Sequence, residues 1–283
     1  MMKNRIPACL KIVLLSAAFL LIFCSRDAFA QSVALRYNYT AGAVLNYSLT
    51  VDSPSSQGSQ KLTLTLKQAI NSVNSSVTPP VISMTYSFDS PSLFVDGASI
   101  PFPLSGQQLS SSITNRGAAV STTAVGDFKD LMTEAGFSAF TSVSPDVMRA
   151  LGVLEFPEAN VSAGSTWSVN KNQTLSNGDT IDVTYNYTLE EFVAYGGYDC
   201  ARISIAATCP MSLHQDYPAL LRSTQMNGTV SVEGSLYFAY TQGKIVKLDE
   251  TVSTNSAAVT ISYNGEATVV PVYKKSTVAL ALQ

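Results

Sequence analysis

Lys61–Lys67 alternates Leu62, Leu64 and Leu66 with Thr63 and Thr65. A period of two puts the leucines on one face and the threonines on the other, which predicts a strand with one buried side. Similar runs predict strands over Ala34–Thr40, Val44–Val51, Val81–Phe88, Leu93–Val95, Ile100–Phe102 and Ile113–Val120. Further along they predict Thr166–Val169, Thr180–Phe192, Asp199–Thr208, Val230–Tyr240, Lys244–Ser253, Ala258–Tyr263, Ala267–Tyr273 and Thr277–Leu282. Turn residues punctuate them: Ala41-Gly42, Pro79-Pro80, the TNRG ending at Gly117, the TQG ending at Gly243, and Asn264-Gly265. Pro271 cannot donate to a ladder and is expected on an edge strand. Met211–Gly228 has few β-formers and reads as a loop.

The period changes once. Phe128, Leu131, Met132 and Ala135 recur at helical spacing between Asp127 and Gly136, and Ser144-Pro145 opens a second such run that closes at Gly152. Two short helices are predicted within 127–152. Their apolar positions, Phe128, Leu131, Met132, Val147, Met148 and Leu151, sit on helices too short to be stable alone, so they must pack on something.

Two stretches repeat. Residues 38–47 read NYTAGAVLNY and residues 160–169 read NVSAGSTWSV. Each has Ala-Gly leading into a strand with a large apolar residue, Leu45 or Trp167. Later, ITNRGAAV and AYTQGKIV share a turn, a glycine and a strand reaching Val120 or Val246. The expected fold is mainly β: one or more curved antiparallel sheets or an open barrel, built as a duplicated β-meander with the two helices in the middle. The halves are 31–126 and 153–283, connected by 127–152.

Residues 1–30 read as a signal peptide. Lys3, Arg5 and Lys11 precede the apolar run Ile12–Phe23, and Ala28-Phe29-Ala30 suits cleavage before Gln31. Phe23 ahead of Cys24 argues against lipid anchoring at that cysteine, and the expected location is periplasmic or extracellular. Removing the signal leaves 13 basic and 19 acidic residues, a net charge of −6. That balance, without a Lys/Arg cluster, disfavours nucleic acid as a partner. No membrane span is expected after processing. An exported chain permits a disulfide between Cys200 and Cys209. On a single strand, however, they would be about 30 Å apart, too far to join. Asn38, Asn46, Asn74, Asn160, Asn172, Asn186 and Asn227 each begin an N-x-S/T triplet.

Candidate chemistry is sparse. His214 is the sole histidine, in an expected loop, and no G-x-S-x-G elbow accompanies it. Adjacent pairs Glu190-Glu191 and Asp249-Glu250 should point to opposite faces of a strand. Ser176–Asp182 gathers oxygen donors around a glycine but lacks EF-hand spacing, and reads as a turn. No metal or other cofactor is expected. Trp167, the sole tryptophan, reads as a core anchor matching Leu45, with a ligand platform as the other reading. Tyr37/Tyr39 and Tyr185/Tyr187 are same-face pairs suited either to cross-strand packing or to lining a groove.

Pro157, Gly164 and Trp167, followed by Phe238, Gly243, Lys244 and Ile245, carry a resemblance across Phe156–Val252. In these positions the chain resembles a group of uncharacterised secreted or lipid-anchored bacterial β-rich proteins. They share a Gly-x-x-Trp lead into a strand and a late F-x-x-x-x-G-K-I hairpin. The resemblance implies a fold and a compartment, and no activity. More loosely, the expected architecture is similar to that of periplasmic lipoprotein carriers, and fold alone does not fix function.

The expected function is non-catalytic binding of an apolar or amphipathic, lipid-like small molecule on a curved sheet. Phe128, Leu131, Met132, Val147, Met148, Leu151, Tyr185 and Tyr187 would face it. The alternative is a cell-envelope structural or adhesion protein recognising protein or glycan. An undetected hydrolase is third.

Overall fold

A computed structural model describes residues 31–55, 58–100, 108–125, 154–174, 180–217, 222–262 and 267–283. The two helices expected within 127–152, with their six apolar positions, lie outside the described residues. So do Asn264-Gly265 and most of Ser176–Asp182.

The strands are β1 (Val44–Ser55), β2 (Gly58–Asn74), β3 (Val81–Val95), β4 (Ala98–Ile100), β5 (Gln108–Thr114) and β6 (Ala119–Val125). They continue as β7 (Thr166–Thr174), β8 (Thr180–Tyr195), β9 (Tyr198–Tyr217), β10 (Arg222–Ala239), β11 (Lys244–Ser262) and β12 (Ala267–Leu282). All belong to one antiparallel sheet in the order β6-β5-β3-β2-β1-β12-β11-β10-β9-β8-β7, with β4 added beside β3. The sheet does not close. Two meanders are joined edge to edge where β1 pairs with β12.

One face carries the core. Leu62, Leu64 and Leu66 are buried on β2 as their alternation predicts, and Ile82, Met84, Tyr86 and Phe88 repeat the pattern on β3. The same cluster runs on through β8, β9 and β10 to Val278 and Leu280 on β12.

Residues 34–40, expected as a strand, form a strap instead. Their backbone partners are turns rather than a neighbouring strand: Tyr37 N donates to Asn115 O at 2.7 Å, and Asn38 N to Gly243 O at 3.2 Å. Asn115 follows β5 and Gly243 precedes β11. Five strand spacings separate β5 from β11, about 24 Å in a flat sheet. Successive amides reach both turns, so the sheet must curl until these rims nearly meet. The buried face is therefore the concave one. Residues 154–161 run with the strap: Val33 and Val161 exchange both backbone bonds at 2.9 Å, and Phe156 N donates to Arg116 O at 2.7 Å. Tyr37, Phe156 and Phe238 plug this end with ring centroids 4.5 to 5.4 Å apart.

The meanders repeat one construction. Gly42 N donates to Ile70 O at 2.8 Å, and Gly164 N donates to Leu189 O at 2.7 Å. Ile70 and Leu189 each precede a bulge, which leaves Asn71 or Glu190 without an opposite residue. Asn71 Nδ2 then donates to Thr85 Oγ1 at 2.8 Å, and Ser204 Oγ donates to Glu190 Oε1 at 2.7 Å. Val120 and Val246 are the extra residues of a second matching pair of bulges. Strands β1, β2, β3, β5 and β6 thus correspond to β7, β8, β9, β10 and β11, and β12 closes the joint.

Three other expectations need correction. Met211–Gly228 is mostly strand, because β9 and β10 pair along their whole length and the ladder outweighs local propensity. His214 accordingly lies opposite Gln225 rather than in a loop. Pro271 is on β12, which lies between β11 and β1 in the sheet; the pairing with β1 stops at Thr277, so at Pro271 the strand has a ladder neighbour on one side only. Glu190 and Glu191 do not diverge. The bulge sends both to the outer face, where Glu191 pairs with Arg202 at 3.2 Å.

Candidate functional site

Ladder registers place Trp167, Tyr187, Ile205, Gly234 and Glu250 in one row across β7, β8, β9, β10 and β11. Directly opposed residues share a face, so this row lies on the concave side. Tyr187, Ile205 and Glu250 are all buried. The corresponding row of the first meander is Leu45, Gln68, Tyr86, Leu109 and Ala124. The two rows are one construction with different side chains.

The first row is self-contained. Leu109 is buried. Gln68 Nε2 and Tyr86 OH both donate to Met84 Sδ, at 2.9 and 3.0 Å. In the second row glycine stands where Leu109 stands, and a carboxylate stands in the place of Ala124. The Glu250 side chain lies over Gly234: a Cβ there would be 2.8 Å from Glu250 Cγ. Asp249, its neighbour, points outward to Lys247 at 2.6 Å. This adjacent pair does diverge, as the sequence predicts.

Aromatic rings wall the same region. Trp167 stacks on Tyr187 at 5.4 Å and 27°, and Tyr187 on Tyr185 at 6.2 Å and 11°. Trp167 is half-buried and packs against the core, and its Nε1 donates to Glu155 O at 2.9 Å. Its counterpart in the first meander is Leu45, as the sequence repeat implies. Lys171 pairs with Glu155 at 3.6 Å, where the first meander has buried Leu49. Burial raises the Tyr187 hydroxyl well above its ordinary pKa, and Tyr185, Glu250 and Glu155 add to the effect. Of the eight expected ligand-facing residues, Tyr185 and Tyr187 are described, and both face the concave side. Tyr37 and Tyr39 pair at 5.6 Å but sit on the strap.

Sequence reading overlooked Gly234 and took Glu250 only as half of an adjacent carboxylate pair. The repeat held the signal, but its offset drifts. Gly164 follows Gly42 by 122 positions, Leu189 follows Ile70 by 119, and Gly243 follows Gly117 by 126. An ungapped comparison therefore ends before reaching β10.

Other candidates do not converge. Cys200 and Cys209 are thiols not joined in a disulfide, buried on opposite faces of β9. Burial raises the Cys200 thiol. Among the described residues no group of three or more His, Cys, Asp or Glu is placed to hold a metal ion. No helix among them is long and apolar enough to cross a membrane.

The chain matches no protein-family model and no curated protein.

Proposed function

We propose that this is an exported, non-catalytic binding protein built as a duplicated β-meander, and that it holds an apolar or amphipathic small molecule on the concave face of the second meander. The observation that carries the reading is the departure between the two rows. The first meander fills its concave face with Leu45, Leu49 and Leu109, and its polar groups satisfy one another. The second, in the same backbone frame, substitutes Trp167, Lys171 and Gly234 and adds Glu250. A fold that packs well with the first set does not need the second, so the second set is read as serving recognition. Sites of this kind are concave and mostly apolar, with a few placed polar groups. The apolar stripes of 127–152 would supply further ligand contacts.

Native mass spectrometry tests this on protein exported to a periplasm and purified without detergent. A co-purifying mass of a few hundred daltons, released by solvent, is expected. Protein that stays free of added dodecanol at its solubility limit would contradict the reading.

A second reading, an envelope protein recognising protein or glycan, is favoured by Val269 and Tyr273. They are 63% and 68% exposed on the part of β12 that has run past β1. Pull-down from the cell surface, lost on Val269→Ser and Tyr273→Ser, would support it.

A further inference from the structure

We propose that the free edge of β12 is a latent pairing surface for a second copy of this chain, and that Pro271 keeps it closed. The inference does not depend on what the concave face binds.

Three observations carry it. First, β12 outruns its neighbour on one side. It pairs with β11 from Ala267 to Ala281, while its pairing with β1 stops at Thr277. Among the described residues, 267–276 therefore have a ladder on one side only. An unpaired strand edge is a template for another strand. Second, the sequence there suits pairing. Residues 268–273 read TVVPVY, an uncharged run of β-formers that only its proline separates from a segment prone to stack into sheets. Val269 and Tyr273 are exposed along it. Third, the pattern is self-complementary. An antiparallel second copy centred on residue 271 would set Val269 of each chain opposite Tyr273 of the other, an aromatic and β-branched pair of the kind that stabilises sheets. Lys274 and Lys275 would fall opposite Thr268 and Ala267, so like charges do not meet. What opposes this register is Pro271 itself. Proline is tolerated on an edge strand but not between two ladders, because it cannot donate.

The experiment compares the mature chain with Pro271→Thr by analytical ultracentrifugation and by hydrogen exchange, each over a range of concentrations. Threonine suits a strand, so the ladder with β11 should hold and the melting temperature should not fall. The wild-type chain is expected to show no concentration-dependent protection of the amides of 268–274. Pro271→Thr is expected to self-associate and to protect them. Adding Val269→Lys and Tyr273→Lys, which sets lysines directly opposite one another in that register, should return the chain to its wild-type behaviour. A Pro271→Thr chain that associates no more than wild type overturns the role of Pro271. Association that the two lysines do not reverse, or that leaves exchange at 268–274 unchanged, overturns the edge pairing. Protection of 268–274 in the concentrated wild-type chain overturns the block.

Discussion

Gly117 and Gly243 occupy equivalent turns of the two meanders; Gly243 meets the strap, and Gly117 meets Leu154 of the segment that runs with it and the Tyr37 ring. A Cβ on Gly117 would collide with Leu154 O, and one on Gly243 with Asn38 N and Arg36 O. Both glycines have positive φ, 92° and 65°. The strap ties the rims of two hairpins that a flat sheet would hold far apart, so these glycines set how tightly the sheet curls.

Alanine at either position should cost roughly 2–4 kcal/mol, from strain plus displacement of the strap. Gly42 and Gly164 also have positive φ, but a Cβ on either meets nothing within 4 Å. Alanine there should cost only about 1 kcal/mol. Urea denaturation of the four variants checks the contrast. Equal losses at all four would mean that the strap contacts contribute nothing.

Leu49 and Lys171 hold the same place in the two meanders, so the frame accepts a leucine there. Lys171→Leu should leave stability within about 1 kcal/mol, since its half-exposed pair with Glu155 contributes little. Leu49→Lys would bury a charge at a site 1% exposed and should cost about 3 kcal/mol or more. Thermal melts of the two variants measure this asymmetry.

Burial raises the hydroxyl pKa of Tyr37, Tyr47, Tyr86 and Tyr187. An unfolded tyrosine ionises near about pH 10, whereas the folded ones remain protonated there. Above that pH the native state binds more protons than the unfolded state, so stability falls as pH rises. Each such residue steepens the decline by up to about 1.4 kcal/mol per pH unit. Stability should be flat with respect to these groups up to about pH 9 and drop steeply beyond pH 10. A melting temperature unchanged between pH 9 and pH 11 would show that they are not buried in the folded protein.

Cys200 and Cys209 face opposite sides of one strand, and both are buried. Neither should react with an aromatic disulfide reagent in the native state, and both should react in denaturant. Reduction should not change electrophoretic mobility. One disulfide in place of two thiols would contradict the placement of β9.

Much of the fold was legible because period-two alternation survives wherever one face is buried: Leu62, Leu64 and Leu66 read the same way in sequence and structure. The strap was not legible. Residues 34–40 alternate like a strand, and only the rims at Asn115 and Gly243, distant in sequence, decide that they bridge turns. The outward placement of Glu190 depended on a bulge, whose extra residue resets the alternation. The pair Gly234 and Glu250 was hidden because hairpins of unequal length shift the repeat. Only the ladder registers align Glu250 with Ala124.

Photolabelling tests the central claim most directly. A dodecanol analogue carrying a diazirine on its chain would be bound to the mature protein, irradiated and mapped by peptide mass spectrometry. Labels should fall on the concave face, at Trp167, Tyr185, Tyr187 or Ile205, and excess dodecanol should suppress them. Labels confined to outer-face positions such as Val269 and Tyr273, or a pattern that excess dodecanol does not change, would contradict a ligand site on the concave face.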